Sequence, residues 1–139
     1  MKFLRLYILV TMMALAGCMQ AQVLRTPDYQ AMGRISPNGI VRNAESMSMG
    51  SFEPDGVVLD RSGKAVGRIS RLEIFDTQGQ RLGFINTNGT VHNGEGAMLG
   101  TISLNDGKVT DAKNVVLGYA RGIRVDWIAC YFFFDFFKK

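Results

Sequence analysis

Histidine occurs once in this chain, at His92, and cysteine only twice, at Cys18 and Cys130. So small a stock offers no His/Cys cluster with zinc spacing, and it limits the chain to one internal disulfide. Charge of one sign is never concentrated: 16 basic against 12 acidic side chains leave +4 overall. That balance, without a run of like charge, excludes a nucleic-acid stripe. Phosphate loop, nucleophile elbow and dinucleotide fingerprint are all missing, so no cofactor, no metal and no catalytic residue is expected, and the chain is not expected to be an enzyme. Long apolar runs are missing too, since neither end offers the length a membrane-spanning helix needs.

What the N-terminal end does offer is a three-part leader. Lys2 and Arg5 are followed by an almost unbroken apolar run, Leu6 to Leu15, and then by the small residues Ala16 and Gly17. This is the plan of a secretory signal. Leu15-Ala16-Gly17-Cys18 resembles the lipobox of bacterial lipoproteins at every position, the alternative being an ordinary signal with a chance cysteine. The resemblance implies cleavage between Gly17 and Cys18, diacylglycerol on the Cys18 thiol and an acyl group on the new amine. Two or three chains make a stable anchor, at ~0.8 kcal/mol per buried methylene. Loss of Lys2 and Arg5 leaves 14 basic against 12 acidic side chains, and Cys130 is left without a partner in the chain. Met19 stands where many inner-membrane lipoproteins have aspartate, which favours the periplasmic side of the outer membrane in a Gram-negative host. Residues 1–17 therefore read as signal peptide, 18–32 as a lipidated tether and 33–139 as the folded domain, which is long enough to bury a core.

The domain is a repeat. Glycine recurs at Gly33, Gly50, Gly67, Gly83, Gly100 and Gly118, at intervals of 17, 17, 16, 17 and 18 residues. Such a period decides the fold before any local reading does. Two residues after each of the first five glycines comes an apolar side chain: Ile35, Phe52, Ile69, Ile85 and Ile102. A second column holds Val41, Val58, Ile74, Val91 and Val109, and a third, just before the next glycine, holds Met49, Val66, Leu82, Leu99 and Leu117. These residues suit strands. Asn38-Gly39, Asp55-Gly56, Asn88-Gly89 and Asp106-Gly107 mark hairpin turns. The third unit is one residue short and has Arg71-Leu72-Glu73 there, so its turn must differ. A second turn opens at Asn43, Asp60, Asp76, Asn93 and Asp111, with Ser46, Gly63, Gly79, Gly96 and Asn114 three residues on. That pattern fits a type I turn with a left-handed last position, and the oxygen column is also of a kind that calcium uses.

Each unit is thus a β-hairpin whose longer strand runs through the repeat glycine, where a bulge or bend is expected. Five hairpins in series leave two edges unless the sheet closes, so a ring or shallow barrel is favoured over an open solenoid.

After Gly118 the pattern gives way to Trp127-Ile128-Ala129-Cys130-Tyr131-Phe132-Phe133-Phe134, then Asp135 and Phe136-Phe137. Trp127, Ile128, Tyr131, Phe132, Phe133 and Phe134 read as an axial plug inside the ring. A surface that touches lipid or a partner is the other reading. Periodicity does not separate helix from strand here, but a segment enclosed by a closed sheet satisfies its own backbone only as a helix. Cys130 within this run reads as a small buried residue and His92 as a solvated strand residue.

Glycine-punctuated hairpins of this period, the lipobox and the Trp-Ile-Ala-Cys-Tyr-Phe-Phe-Phe ending together resemble the fivefold β-flower proteins over residues 33–137. The resemblance implies an all-β fold: five hairpin repeats of about 17 residues closed into a pseudo-fivefold ring, with the C-terminal apolar segment in the centre. It carries over no catalytic residue. The function expected is that of a membrane-anchored bacterial lipoprotein, a non-enzymatic structural or interaction module of the cell envelope. Its partners would be the membrane, through lipid on Cys18, and an envelope protein. The alternative is a binding module for a lipid or other apolar ligand held at the ring axis.

Overall fold

A computed structural model describes residues 22–137; the leader, Gly17 and Cys18 lie outside the described residues. Twelve strands run through them: β1 (Gln22–Arg25), β2 (Ala31–Ile35), β3 (Ile40–Asn43), β4 (Ser48–Phe52), β5 (Val57–Asp60), β6 (Ala65–Ser70), β7 (Glu73–Phe75), β8 (Arg81–Ile85), β9 (Thr90–Asn93), β10 (Met98–Ile102), β11 (Lys108–Asp111) and β12 (Val116–Tyr119). One helix, α1 (Val125–Phe132), follows. Every strand is antiparallel to the next, and β12 returns to β1, so the sheet is a closed barrel without an edge.

The five hairpins expected from the repeat are β2–β3, β4–β5, β6–β7, β8–β9 and β10–β11. A sixth pair completes the circle from the two ends of the domain. Tyr119 of β12 faces Arg25 of β1, just as Thr101 faces Thr110 in the fifth hairpin. In that register Gly118 and Ala120 fill the places of Gly100 and Ile102, and Leu24 fills that of Val109. Residues 18–32 therefore do not form one tether. Gln22–Arg25 is a strand because Leu24 is wholly buried and the strand pairs on both sides, which leaves 18–21 ahead of the barrel.

Each glycine-bearing strand carries a one-residue bulge just before the glycine. Val41 pairs with Gly50 and Arg42 with Ser48, so Met49 is the extra residue. The same slip occurs at Met32, Val66, Leu82, Leu99 and Leu117. A bulge turns two consecutive residues toward one face, and these six apolar residues all belong to the core or pack on it. The other strand of each pair supplies Leu24, Val41, Val58, Ile74, Val91 and Val109, all fully buried. Each such side chain stabilises the fold by about 1.5–3 kcal/mol.

Nearly all the turns on both rims share one design. In the loop that opens at Asn43, the Asn43 N–H donates to Met47 O (2.9 Å) and the Ser46 N–H donates to Asn43 O (3.0 Å), with Ser46 left-handed at φ 67°. The loop that opens at Thr26, ahead of the first repeat glycine, has the same bonds and Tyr29 at φ 67°. On the opposite rim Ser36, Gly39 and Ile40 take the corresponding roles. The short third unit departs as expected: Arg71 and Leu72 form a two-residue turn with φ of 52° and 65°. Only glycine and asparagine adopt such angles readily, so this turn is strained.

Inside the barrel α1 is buried on every side from Asp126 to Tyr131. Helix wins over strand because a closed sheet has no edge to offer, and a helix satisfies its own main chain.

Candidate functional site

The repeat glycines line the inner wall at one level, and each leaves a shallow seat where other residues would have a side chain. Five of the six seats hold a ring from the C-terminal segment. A β-carbon on Gly118 would lie 2.9 Å from the Phe132 ring, and one on Gly100 would lie 2.7 Å from Phe133. The corresponding distances are 2.5 Å for Gly83 and Phe134, 2.6 Å for Gly67 and Phe136, and 2.7 Å for Gly50 and Phe137. The chain therefore winds backward around the barrel and lays one ring on each unit in turn. Asp135, exposed and left-handed at φ 54°, is the kink that lets Phe136 reach the next seat. Phe137 is 2% exposed and meets Phe52 edge-on at 5.3 Å, so the Phe136-Phe137 end is folded into the barrel.

Gly33 is the exception. It is buried and sits behind the same bulge, but the three atoms nearest a β-carbon there are all backbone, out to 3.6 Å. A cavity of about 310 Å3 is lined by Met32, Asn43, Met49, Arg61, Tyr131 and Phe137 among others. It opens toward the rim of the Asx turns. Four of the five exposed large apolar residues, Tyr29, Met47, Met98 and Val115, lie on or next to those turns.

At the other end, where the chain enters the barrel, Arg124 clamps the start of α1. Its guanidinium donates to both oxygens of Asp126 (3.1 and 2.6 Å) and lies 4.8 Å from the centre of the Trp127 ring. Asp126 also accepts the Trp127 N–H at 3.0 Å, in the first helical turn where a negative charge opposes the helix dipole favourably. Trp127 in turn stacks on Phe52, with centroids 5.1 Å apart. Sequence reasoning passed over this clamp, although Arg124-Val125-Asp126 just ahead of an aromatic run was its signal. A second cavity of about 290 Å3 adjoins it, between Pro54, Arg71, Arg124 and Trp127.

The sequence matches the family described as 5-fold beta-flower protein over residues 16–137, most of the chain. The chain belongs to the β-flower family. No curated protein and no solved structure matches it. In this β-flower chain the five continuous hairpins are completed by the sixth pair, β12 with β1.

The remaining candidates have local explanations within the flower. Oδ1 of Asn43, Asp60, Asp76, Asn93 and Asp111 each accepts two backbone N–H groups of its own turn, at 2.8–3.0 Å. Among the described residues no group of acidic, histidine or cysteine side chains could hold a metal ion. His92 is half-buried, stacked on Phe84 at 4.9 Å, with Asn86 Nδ2 and Gly96 O each 3.2 Å from a ring nitrogen. Cys130 is fully buried in α1, and burial, reinforced by the negative charge of Asp126, pushes its thiol well above the ordinary range. Trp127, Ile128 and Tyr131 are buried in the single core cluster, whereas Phe132, Phe133 and Phe134 are half-buried on their glycine seats.

Proposed function

We propose that this β-flower protein is a lipid-anchored, non-enzymatic interaction module of the bacterial cell envelope, held by diacylglycerol on Cys18. The observation that carries the reading is Leu15-Ala16-Gly17-Cys18 behind a charged and apolar leader, with the family match starting at residue 16. The barrel suits such an anchor. Gln22 pairs with Ile35, next to the Ser36–Gly39 turn, so the chain enters the domain at the rim where α1 also begins. Three residues, 19 to 21, separate the cysteine from β1, and the four steps from Cys18 to Gln22 reach at most ~14 Å when extended. That rim would face the membrane, while the Asx rim with its exposed apolar residues would point away into the envelope space.

Charge adds little to this anchor. Arg71, Arg121 and Arg124 are exposed near the membrane-facing rim, but Asp55 and Asp106 are exposed there too. Lipid supplies the affinity. Met19 after the cysteine favours the periplasmic side of the outer membrane in a Gram-negative host. The non-enzymatic reading is supported by the described side chains: the only histidine lies on the outer wall and the thiol of Cys130 is sealed in the core. A lipid held along the axis is the weaker reading, because α1 and the phenyl rings take that space.

Metabolic labelling with an alkyne fatty acid tests the anchor. The wild-type chain is expected to take up label and fractionate with membranes, and Cys18→Ser to accumulate as an unlabelled, uncut precursor. Label retained on Cys18→Ser would overturn the proposal.

A further inference from the structure

We propose that the cavity beside the Arg71-Leu72 turn binds a zwitterionic phosphoethanolamine group, with Arg71 and Arg124 on its phosphate and Glu53 and Asp55 on its ammonium. The cavity, about 290 Å3, is lined by this turn, by the turn Glu53–Gly56 and by the start of α1. The turn of the third unit is shorter than the Asx-Gly turns of the other units, so less chain covers the rim there. The volume lies at the small end of ligand clefts, which run from ~300 Å3 upward, and suits a headgroup better than a whole lipid.

Charge selects the ligand. Arg71 is exposed in a left-handed conformation, and among the described residues its guanidinium has no hydrogen bond, ion pair or ring contact. A cation held at a backbone cost, with no partner inside the molecule, points to a partner outside it. Arg124 gives Nε and Nη2 to Asp126 and keeps Nη1 for a ligand. On the neighbouring turn Asp55 uses only Oδ1, to accept the Val57 N–H at 3.1 Å. Glu53 uses only Oε1, which the Ser51 hydroxyl reaches at 3.4 Å. An anion alone would meet these two carboxylates, and a cation alone would leave Arg71 unmatched. A group carrying both charges satisfies the whole lining. Guanidinium donors match phosphate oxygens, and an ammonium donates to carboxylates. Leu72 and Trp127 give the cavity an apolar side for the glycerol end of the ligand. The source of the group, a phospholipid of the anchoring membrane, rests on the lipid anchor proposed above. The lining residues belong to the rim that a short tether from Cys18 would hold against the bilayer, where tryptophan is at home.

Trp127 is the only tryptophan of the chain, so its emission reports occupancy. The full chain in dodecyl maltoside is titrated with dihexanoyl-phosphatidylethanolamine, dihexanoyl-phosphatidylglycerol and glycerophosphoethanolamine. A saturable change with the ethanolamine lipid is expected, at least tenfold tighter than with the glycerol lipid or the soluble diester. Arg71→Asn and Glu53→Gln are each expected to weaken binding at least tenfold, and urea midpoints of the same samples separate lost binding from lost fold. Arg121→Gln, exposed on the same rim but outside the cavity, should leave binding unchanged. Equal affinity for the soluble diester would overturn the membrane as the source. No saturable change, equal binding of the two lipids, or wild-type affinity in Arg71→Asn would overturn the site. Binding in detergent does not need the anchor, so an unlabelled Cys18 and an empty cavity are distinct failures.

Discussion

Phe136 and Gly67 share one volume on the inner wall of β6: a β-carbon on the glycine would stand 2.6 Å from the ring. The repeat glycines therefore serve the interior, and the rings are what they make room for. A seat filled twice has to push the ring inward or the strand outward. Gly67→Ala is expected to destabilise the domain by about 1–3 kcal/mol, the usual cost of overpacking. Combined with Phe136→Leu, the loss should fall short of the sum by roughly 0.5–3 kcal/mol, as for groups in contact. Urea unfolding of the two single variants and the double variant measures the coupling. Strict additivity would dissociate ring from glycine.

Arg71 provides a test of opposite sign. It is exposed at φ 52° in the two-residue turn of the third unit, where the β-carbon crowds the following carbonyl oxygen. Arg71→Asn should stabilise the protein by roughly 0.5–1 kcal/mol, because asparagine tolerates the left-handed region. Leu72 is left in place because it packs on the core. A lower urea midpoint for Arg71→Asn would contradict the strain assigned to this turn.

Acid should weaken the Asx rim in a predictable direction. Asp60 Oδ1 accepts from Ser62 Oγ (2.7 Å), Lys64 N (3.0 Å) and Ser62 N (2.9 Å), and these bonds, the Ser62 hydroxyl foremost, hold its carboxyl below the usual range. A carboxylate lowered on folding stabilises above its unfolded value, and the contribution is lost as pH falls through the lowered one. Asp60→Asn keeps an acceptor at Oδ1 and removes the titration. Its melting temperature should therefore drop less than that of the wild type between about pH 5 and pH 2. Parallel pH profiles would remove Asp60 from the acid response.

The Cys130 thiol gives a chemical reading of the core. Fully buried and shifted toward the neutral form, it should not react with Ellman's reagent in the native protein and should react at once in denaturant. The raised value also fixes a sign at high pH. Stability is complete below the unfolded thiol's range and is lost as pH climbs toward the folded value. Rapid native labelling at neutral pH would show that α1 leaves the barrel.

Most of this architecture was legible because it is periodic. The glycine, Val41-type and Ile35-type columns define five hairpins, and the Asx openers name their turns. The sixth pair escaped because its strands lie at the two ends of the domain, and no local pattern joins Arg25 to Tyr119. A signal was nevertheless present: Leu24 stands 17 residues before Val41, the spacing of the column itself. The pairing of rings with glycines was not legible at all. Five phenylalanines and six glycines are visible in the sequence, but the backward winding that matches them depends on the kink at Asp135. That Gly33, unlike the other five, has only backbone within 3.6 Å of a β-carbon became visible only with the packing.

The pairing of β1 with β12 also sets a clock on assembly. A chain made N-terminus first delivers β1 at the outset and its partner β12 only after the other ten strands. Until then the first strand keeps a bare edge, and no prefix of the domain can close. The rings arrive later still, because Phe132 to Phe137 follow every strand they cover. Interrupted synthesis would yield an open ribbon with empty seats, a form that a protease can distinguish from the finished flower.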